Sequence, residues 1–392
     1  MSTDIPIEEL FEHAKISTTI QTAVRTPGME SWSGSKISKE PTKIYDINGE
    51  LLFLDFSVRS QMRGAGVTGY VRVGSKRNIG SPIISYELGP KRWDFKAAVE
   101  KLTPLFNKKF PKLKVEDVKL VCYSYPKLGV MFKAVDATGS ATRHIFDVAS
   151  LAPVPENKGK AVEGFFAWSY LDSLTDQMKS TRSRQYEEAS KSLKEIPEKE
   201  RASMLKAEVF GKYVSKYIGT IIPLIQTKLL QYCTHYNYDE TRSHHCFVLQ
   251  GQQVDDYCAV ATCQMILCYY RYYYSQDQIA PALNYTQGSG CPSDQSAGYE
   301  KLTCNHLDAT FDSTPTWAEA KTQIDALHPF KSGIQGHARA CAGYSKVMLT
   351  NSLYIYDPWP WNADFKLAGS IKWENWNSIT HTNYVFTKLT CP

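Results

Sequence analysis

Three residues of the types that support nucleophilic catalysis occur in order along the C-terminal part of the chain. Cys258 stands where the polar stretch "GQQVDDY" becomes the apolar run "CAVATCQMILCYY". His337 follows in "GIQGHARACAGY", and Asp357 follows in "NSLYIYDPW". In this combination the thiol attacks a carbonyl carbon, the imidazole acts as its base, and the carboxylate orients the imidazole. The order of these residues therefore predicts a Cys-His-Asp catalytic triad.

The run that begins at Cys258 is apolar nearly all round, which predicts a helix buried at the centre of a domain. Cys258 lies at its first turn, where unpaired backbone amides and the helix dipole favour a thiolate. We therefore expect a lowered pKa for this thiol. Cys263 and Cys268 follow at steps of five residues, so the three thiols share no face of the helix. The inner two are interpreted as packing residues.

The other candidate residues are placed by strand patterns and by their distance from Cys258. A histidine that enters one strand and an acid that leaves the next can meet across an antiparallel pair, so Asp357 is expected to accept the Nδ1–H of His337. Gln252 precedes the nucleophile in the same loop. Its amide and the Cys258 backbone N–H would form an oxyanion hole, in which one donor contributes about 3 kcal/mol.

The elements that must position these residues fall into three parts. Residues 1–155 predict an α+β module of antiparallel strands with one helix, including a hairpin at Asn48-Gly49. Residues 156–243 are Lys/Glu-rich and predict a helical connector that Pro197 divides. Residues 244–392 predict a second α+β module with its helices first and its strands later.

Composition and motifs exclude several function classes. The net charge of +5 is spread along 392 residues without a basic tail, so no nucleic-acid partner is expected. The N-terminus lacks a signal-peptide pattern and no long apolar span occurs, so we expect a cytoplasmic protein with no membrane partner, although a trimmed export signal would leave the same sequence. The "GAGVTG" at residues 64–69 precedes a strand pattern rather than a helix, which argues against a dinucleotide site.

No cofactor and no metal ion are expected from the remaining motifs. Cys291, Cys304 and His306 have donor atoms that suit a metal ion, but their spacing matches no zinc site. Simple burial, or a structural or redox role, is the expectation for all three. Asp255 and Asp256 precede the nucleophile and are candidates either for substrate specificity or for capping the helix.

At these residues the sequence resembles the papain-like cysteine peptidases, and most of all the bacteriocin-processing peptidases and related small prokaryotic members. The resemblance rests on Gln252, Cys258, "GHARACAGY" and "IYDP", and it covers roughly residues 244–390. It implies a papain-like fold, with a buried N-terminal helix and an antiparallel sheet. It also implies endopeptidase activity on peptide or protein substrates. Two residues depart from the usual pattern, Ala259 after the cysteine and Arg339 in the histidine motif.

The layout of the whole chain resembles the zymogens of streptopain-type peptidases. It implies that the N-terminal module is an intramolecular partner that covers the site, whereas a substrate-recruiting module is the alternative. Proteolysis, including self-processing, is then expected in an exposed connector at Lys179, Arg182 or Arg184. Two other functions remain open, namely acyl transfer or isopeptide cleavage by the same triad, and a papain-fold binding module without turnover.

Overall fold

A computed structural model describes residues 3–61, 66–156, 162–211, 216–230, 247–348, 350–364 and 367–390. The chain has a mixed α+β architecture in which one large sheet carries helices on its faces. Among the described residues, none of the helices has the length and apolar character needed to span a membrane.

The first part of the chain is rich in antiparallel strands, as its alternating patterns predict. Its strands are β1 (Ser35–Ile37), β2 (Thr42–Asp46), β3 (Leu51–Ser60), β4 (Val67–Gly74), β5 (Ile83–Leu88), β6 (Lys114–Ser124), β7 (Lys127–Val135) and β8 (Ala141–Asp147). Gly49 has a φ of 94°, the left-handed conformation that the predicted hairpin turn requires. Strand β4 confirms the strand pattern at the end of the "GAGVTG" motif, of which residues 64 and 65 lie outside the described residues.

The described residues of the first part and the connector also contain five helices, of which the first two contact strands of the sheet and the next two contact the first helix. They are α1 (Ile7–Ala23), α2 (Phe95–Lys109), α3 (Asp176–Glu195), α4 (Glu198–Lys206) and α5 (Lys216–Ile221). Pro197 caps α4, which confirms the predicted division of the connector. Helix α1 was not predicted from the sequence. It buries threonines, such as Thr18 and Thr22, whose hydroxyl groups donate hydrogen bonds to carbonyl oxygens of the same helix. Because these buried residues are polar, the sequence lacks the apolar pattern of a buried helix.

The connector also contributes two short strands, and the last part of the chain supplies the remaining elements. The connector strands are β9 (Val162–Glu163) and β10 (Gln226–Leu229). The helices that follow are α6 (Cys258–Tyr269), α7 (Gln276–Ile279), α8 (Ser296–Leu302) and α9 (Trp317–Asp325). The strands that follow are β11 (Cys291–Pro292), β12 (Leu307–Asp312), β13 (Phe330–Ile334), β14 (His337–Val347), β15 (Thr350–Asp357), β16 (Ser370–Asn375) and β17 (His381–Leu389).

Strands from both predicted modules join in one sheet. Their order is β12-β17-β13-β14-β15-β16-β5-β4-β3-β2-β6-β7-β8, with β1 added to β3 and β10 added to β14. The junction is the antiparallel pair β16–β5, in which Lys372 lies opposite Glu87. The N-terminal strands therefore continue the sheet that carries His337 and Asp357, a connection that the sequence did not predict.

Candidate active site

His337 and Asp357 meet across the antiparallel pair β14–β15, as predicted from the strand patterns. The imidazole Nε2 lies 2.7 Å from Asp357 Oδ1, and both side chains are fully buried. The ring nitrogen differs from the expected one, because Asp357 contacts Nε2 rather than Nδ1. Nδ1 is buried with no hydrogen-bond partner among the described residues. A bond from Nε2–H to the carboxylate leaves Nδ1 as the basic nitrogen.

Two further groups fix Asp357. Lys372 Nζ lies 3.1 Å from Oδ2, and the Trp359 backbone N–H donates to Oδ1 at 3.0 Å. Burial by itself would raise the pKa of Asp357, but Lys372 and His337 outweigh burial and hold this pKa below its usual value. The carboxylate is therefore ionised and able to orient the imidazole.

Cys258 is the first residue of α6, and its side chain is fully buried. Helix α6 packs against β14, so the thiol lies next to the segment that carries His337. Burial raises the pKa of Cys258, although Lys127 and the backbone N–H groups of Ala338 and Ala259 oppose the rise. The expected lowering of this pKa is wrong for this conformation, because the loss of solvent outweighs the start of the helix.

The pKa of His337 is lowered to about 4, mainly by burial and against the effect of Asp357. A raised thiol pKa and a lowered imidazole pKa favour neutral forms of both groups at neutral pH. The closed site therefore holds a thiol and an imidazole rather than a thiolate and an imidazolium.

Residues outside the C-terminal part close this site. The turn between β6 and β7 brings Lys127 into the protein, where its ammonium group donates to the carbonyl oxygens of Gly164 and Gly336. Gly336 directly precedes His337, and Gly164 belongs to the connector. Asp147 of the same module accepts a bond from Trp359 Nε1 at 2.9 Å. The N-terminal module and the connector thus contact residues next to His337 and Asp357, and all three candidate catalytic side chains are buried.

Gln252 is buried in the loop before α6, but it does not display the expected oxyanion-hole geometry. Its side-chain amide donates to the carbonyl oxygens of Val254 and Asp255, at 3.1 Å and 2.6 Å. Its backbone N–H donates to the carbonyl of Pro358, which follows Asp357. The side chain therefore stabilises the loop that leads to Cys258 in this closed conformation.

The two aspartates before Cys258 have separate environments. Asp256 is buried and accepts bonds from the Tyr285 hydroxyl and the Gly288 backbone N–H, so it anchors a loop and is not free to bind a substrate. Asp255 is half-buried, and its pKa rises to about 6 because burial outweighs a hydrogen bond from Ser150. Neither residue caps α6, whose N-cap residue is Tyr257.

The inner cysteines match their interpretation as packing residues. Cys263 is fully buried and Cys268 is half-buried within α6.

Arg339, the departure in the histidine motif, forms a buried ion pair with Glu374 at 2.6 Å. Tyr125 of the N-terminal module donates to the same carboxylate at 2.9 Å. The unusual arginine therefore helps to join the two parts of the chain.

The proposed processing residues are not in an exposed linker, which corrects the prediction. Lys179, Arg182 and Arg184 all lie within helix α3. Arg182 is buried, and its guanidinium donates to the Tyr170 hydroxyl at 2.7 Å and to Thr380 Oγ1 at 2.6 Å. Cleavage at these residues would require α3 to unfold, because proteases bind extended chains.

With this geometry in place, the C-terminal part was compared with known families. Residues 244–383 match the Peptidase_C39 like family. The match spans the Cys258, His337 and Asp357 positions of this Peptidase_C39-like region and supports a cysteine peptidase. It confirms the resemblance to bacteriocin-processing peptidases.

The chain was also compared with curated proteins and with solved structures. No curated protein matches it. One similar solved structure is a double glycine motif protease from an AMS/PCAT transporter in complex with the leader peptide. The two sequences are 19% identical, the alignment covers 38% of this chain and 96% of that chain, and the TM-score is 0.27. Another similar solved structure is UfSP from C. elegans, which is 16% identical. The alignment covers 42% of this chain and 34% of that chain, with a TM-score of 0.29.

Several residues of the site were missed by sequence analysis. Lys127, Glu163, Lys331 and Lys372 are charged side chains that the structure buries completely or almost completely. Lys331 and Lys372 lie in strands of mixed composition, FKSGI and SIKWEN. A buried lysine needs a partner of opposite charge, but the sequence of these strands does not indicate that they are buried.

Proposed function

We propose that the chain is a cysteine endopeptidase with Cys258 as nucleophile, His337 as general acid and base, and Asp357 as the residue that orients His337. The observation that carries this proposal is the buried His337–Asp357 pair, whose Nδ1 has no hydrogen-bond partner among the described residues, on a strand that packs against the helix beginning at Cys258. The match of residues 244–383 to a peptidase family supports the same conclusion.

In the proposed reaction the Cys258 thiol gives its proton to His337 Nδ1 while the sulfur bonds to the scissile carbonyl carbon. The Cys258 backbone N–H stabilises the oxyanion, and Gln252 joins it once its amide leaves a loop carbonyl. The C–N bond then breaks, and His337 returns the proton to the leaving amine. Water, activated by His337, releases the acid product and restores the thiol.

We further propose that the described conformation is an inhibited one. The complete burial of Cys258 leaves no path for a peptide, and it also raises the pKa of the thiol. Movement of Lys127 and the connector away from the site would admit water as well as substrate. Hydration removes the main cause of the raised pKa, so opening is expected to generate the reactive thiolate.

A direct test measures hydrolysis of a peptide library by mass spectrometry for the wild type, Cys258→Ala, His337→Gln and Cys341→Ala. Cys341 is the matched control, because it is a buried thiol on β14, the strand that also carries His337. Cys258→Ala is expected to abolish cleavage, and His337→Gln to reduce kcat by about a thousandfold or more. Cys341→Ala is expected to retain activity. Cleavage by the Cys258→Ala protein at the wild-type rate would refute the proposal.

The same assay separates hydrolysis from acyl transfer. A primary amine added with the peptide substrate competes with water for the acyl-enzyme. A peptidase yields mainly free carboxylic acid at the new C-terminus, whereas a transferase yields mainly the amide of the added amine.

A further inference from the structure

The connector strand β9 lies beside the candidate catalytic residues as a bound peptide would. Glu163 pairs with Cys291 and Val162 pairs with Pro292, in antiparallel register with β11. The next residue, Gly164, donates its backbone N–H to the Gly336 carbonyl at 3.3 Å. An extended segment therefore adds to a strand of the Peptidase_C39-like region on one side and contacts the residue before His337 on the other. Strand addition of this kind is a common way in which proteins bind peptides.

The backbone at Gly164 approaches the site too closely for a side chain. A Cβ atom on Gly164 would lie 2.5 Å from the carbonyl oxygen of Ser289. The Gly164 carbonyl accepts a bond from Lys127, and Lys127 is also the cation that acts most strongly on the Cys258 thiol. These contacts place the Gly164 carbonyl in the electrostatic surroundings of the nucleophile.

The Glu163 side chain fills a buried polar pocket. One carboxylate oxygen lies 2.5 Å from Lys331 Nζ and 3.3 Å from Asn383 Nδ2, and the other accepts a bond from Gln295 Nε2 at 2.8 Å. Lys331, Asn383 and Gln295 all belong to the Peptidase_C39-like region. Glu163 thus inserts a connector carboxylate into a pocket that the catalytic part of the chain provides.

This pocket requires a negative charge. Lys331 is fully buried on β13, and its other bonds are to the neutral oxygens of Asn383 Oδ1 and the Ser293 carbonyl. Among the described residues, Glu163 is the acid that forms an ion pair with it. A buried ammonium without a counter-ion is strongly unfavourable. When β9 leaves, another carboxylate is the group best suited to occupy the pocket.

We propose that residues 162–164 occupy the substrate groove as an internal pseudosubstrate, and that the Lys331, Gln295 and Asn383 pocket selects peptides with an acidic side chain at the position of Glu163. This inference rests on the proposed function, because it takes a peptide to be the substrate of the chain. The acidic residue directly precedes Gly164, whose backbone N–H bonds to the carbonyl of Gly336, the residue before His337. The chain's own sequence at this site, Val-Glu-Gly-Phe-Phe, is therefore the first probe.

The test measures binding without catalysis. Full-length Cys258→Ala protein is compared with the double variant Cys258→Ala/Gly164→Ala, in which the new methyl group displaces β9 from the groove. Fluorescence anisotropy reports the binding of labelled Val-Glu-Gly-Phe-Phe, and matched peptides replace glutamate with glutamine or lysine. Cys258→Ala/Gly219→Ala is the control, because a Cβ atom on Gly219 would meet, within the described part of the chain, no atom within 4 Å beyond its chain neighbours and its own helix backbone.

The glutamate peptide is expected to bind the Gly164→Ala double variant about tenfold or more tightly than the glutamine peptide, since charge-assisted bonds replace neutral ones. The lysine peptide is expected to bind more weakly still. The Gly219→Ala control and the Cys258→Ala protein should bind the glutamate peptide more weakly, because their groove remains occupied. If Gly164→Ala disturbs folding, as seen by thermal denaturation, Cys258→Ala/Glu163→Gln replaces it.

Equal affinity for the three peptides, or no binding by a folded released variant, would overturn the inference. The outcome is independent of turnover, because Cys258 is absent. Charge-selective binding together with failure of the Gly164→Ala protein that retains Cys258 to hydrolyse any peptide would instead contradict the proposed function and leave the pocket assignment intact.

Discussion

Replacing Lys372 with methionine would remove the cation that lies between two buried carboxylates. Its Nζ atom is 3.1 Å from Asp357 Oδ2 and 3.4 Å from Glu87 Oε1, and all three side chains are almost completely buried. At an effective dielectric constant of about 20, a contact at 3 Å represents roughly 5 kcal/mol of gross attraction. Loss of one partner from a buried pair typically lowers the free energy of unfolding by about 3–5 kcal/mol. We expect Lys372→Met to fall in that range at pH 7.

The effect should depend on pH in a defined direction. Lys372 is the main cause that holds the pKa of Asp357 below its usual value, so methionine should raise this pKa. A lowered carboxyl pKa contributes stability that is present above the unfolded-state pKa of about 3.9 and is lost as the pH falls through the folded-state pKa. In the variant, Asp357 takes up a proton at higher pH and no longer needs the cation. The difference in stability between wild type and Lys372→Met should therefore narrow from pH 7 towards pH 4.

Urea unfolding between pH 4 and pH 8 measures this difference, and peptide hydrolysis measures the effect on His337. Lys372→Arg keeps the positive charge and should therefore retain part of the stability and part of the hydrolytic activity that Lys372→Met loses. Lys388→Met is the matched control, because Lys388 forms a 3.0 Å pair with Asp308 on the exposed surface and should change neither stability nor activity measurably. A loss in Lys372→Met no larger than in Lys388→Met, or one that grows towards pH 4, would refute the reasoning.

Two further substitutions test buried polar groups away from the catalytic pair. Burial lowers the pKa of His13 to about 4, so as the pH drops below 6.5 the unfolded chain binds a proton before the folded chain does. The free energy of unfolding therefore falls, by about 2 kcal/mol at pH 5. His13→Gln should abolish this loss, as measured by urea titrations at pH 7 and pH 5. An unchanged pH slope in that variant would exclude this assignment. Asp256→Asn keeps only part of the acceptor capacity that holds Tyr285 and Gly288, and it should lower the free energy of unfolding by about 1–3 kcal/mol. Asp277→Asn, a change at a carboxylate with a single long bond from Tyr257, is its control and should show a smaller loss.

Local pattern was sufficient to locate the central elements of the site. The apolar run at Cys258 predicted α6, and the alternating runs at His337 and Asp357 predicted the β14–β15 pair that brings these residues to 2.7 Å. Each of these features depends on neighbouring residues in the sequence, for which helical and strand periodicities are direct evidence.

The features that were missed depend on residues far apart in the sequence. Burial raises the pKa of Cys258 and Lys127 of the distant β6–β7 region opposes the rise, neither of which a pattern around Cys258 indicates. The choice of Nε2 over Nδ1 depends on how the His337 ring packs, not on its position in the strand. Arg182 shows the same limit, because a charged helix pattern does not reveal which of its basic residues is buried.

The join between β5 and β16 bears on how inhibition would be relieved. Removal of the whole N-terminal module would expose the backbone of β16 and leave Lys372 without Glu87, its second carboxylate partner. An unpaired strand edge promotes aggregation, and the loss of one partner from a buried charge cluster is destabilising. Displacement of β9 and Lys127 breaks a two-residue strand pair, a few hydrogen bonds and the Glu163–Lys331 ion pair, in which the carboxylate of a bound peptide is proposed to replace Glu163. We therefore infer that activation proceeds by local opening at these residues while β5 remains paired with the sheet that carries Asp357.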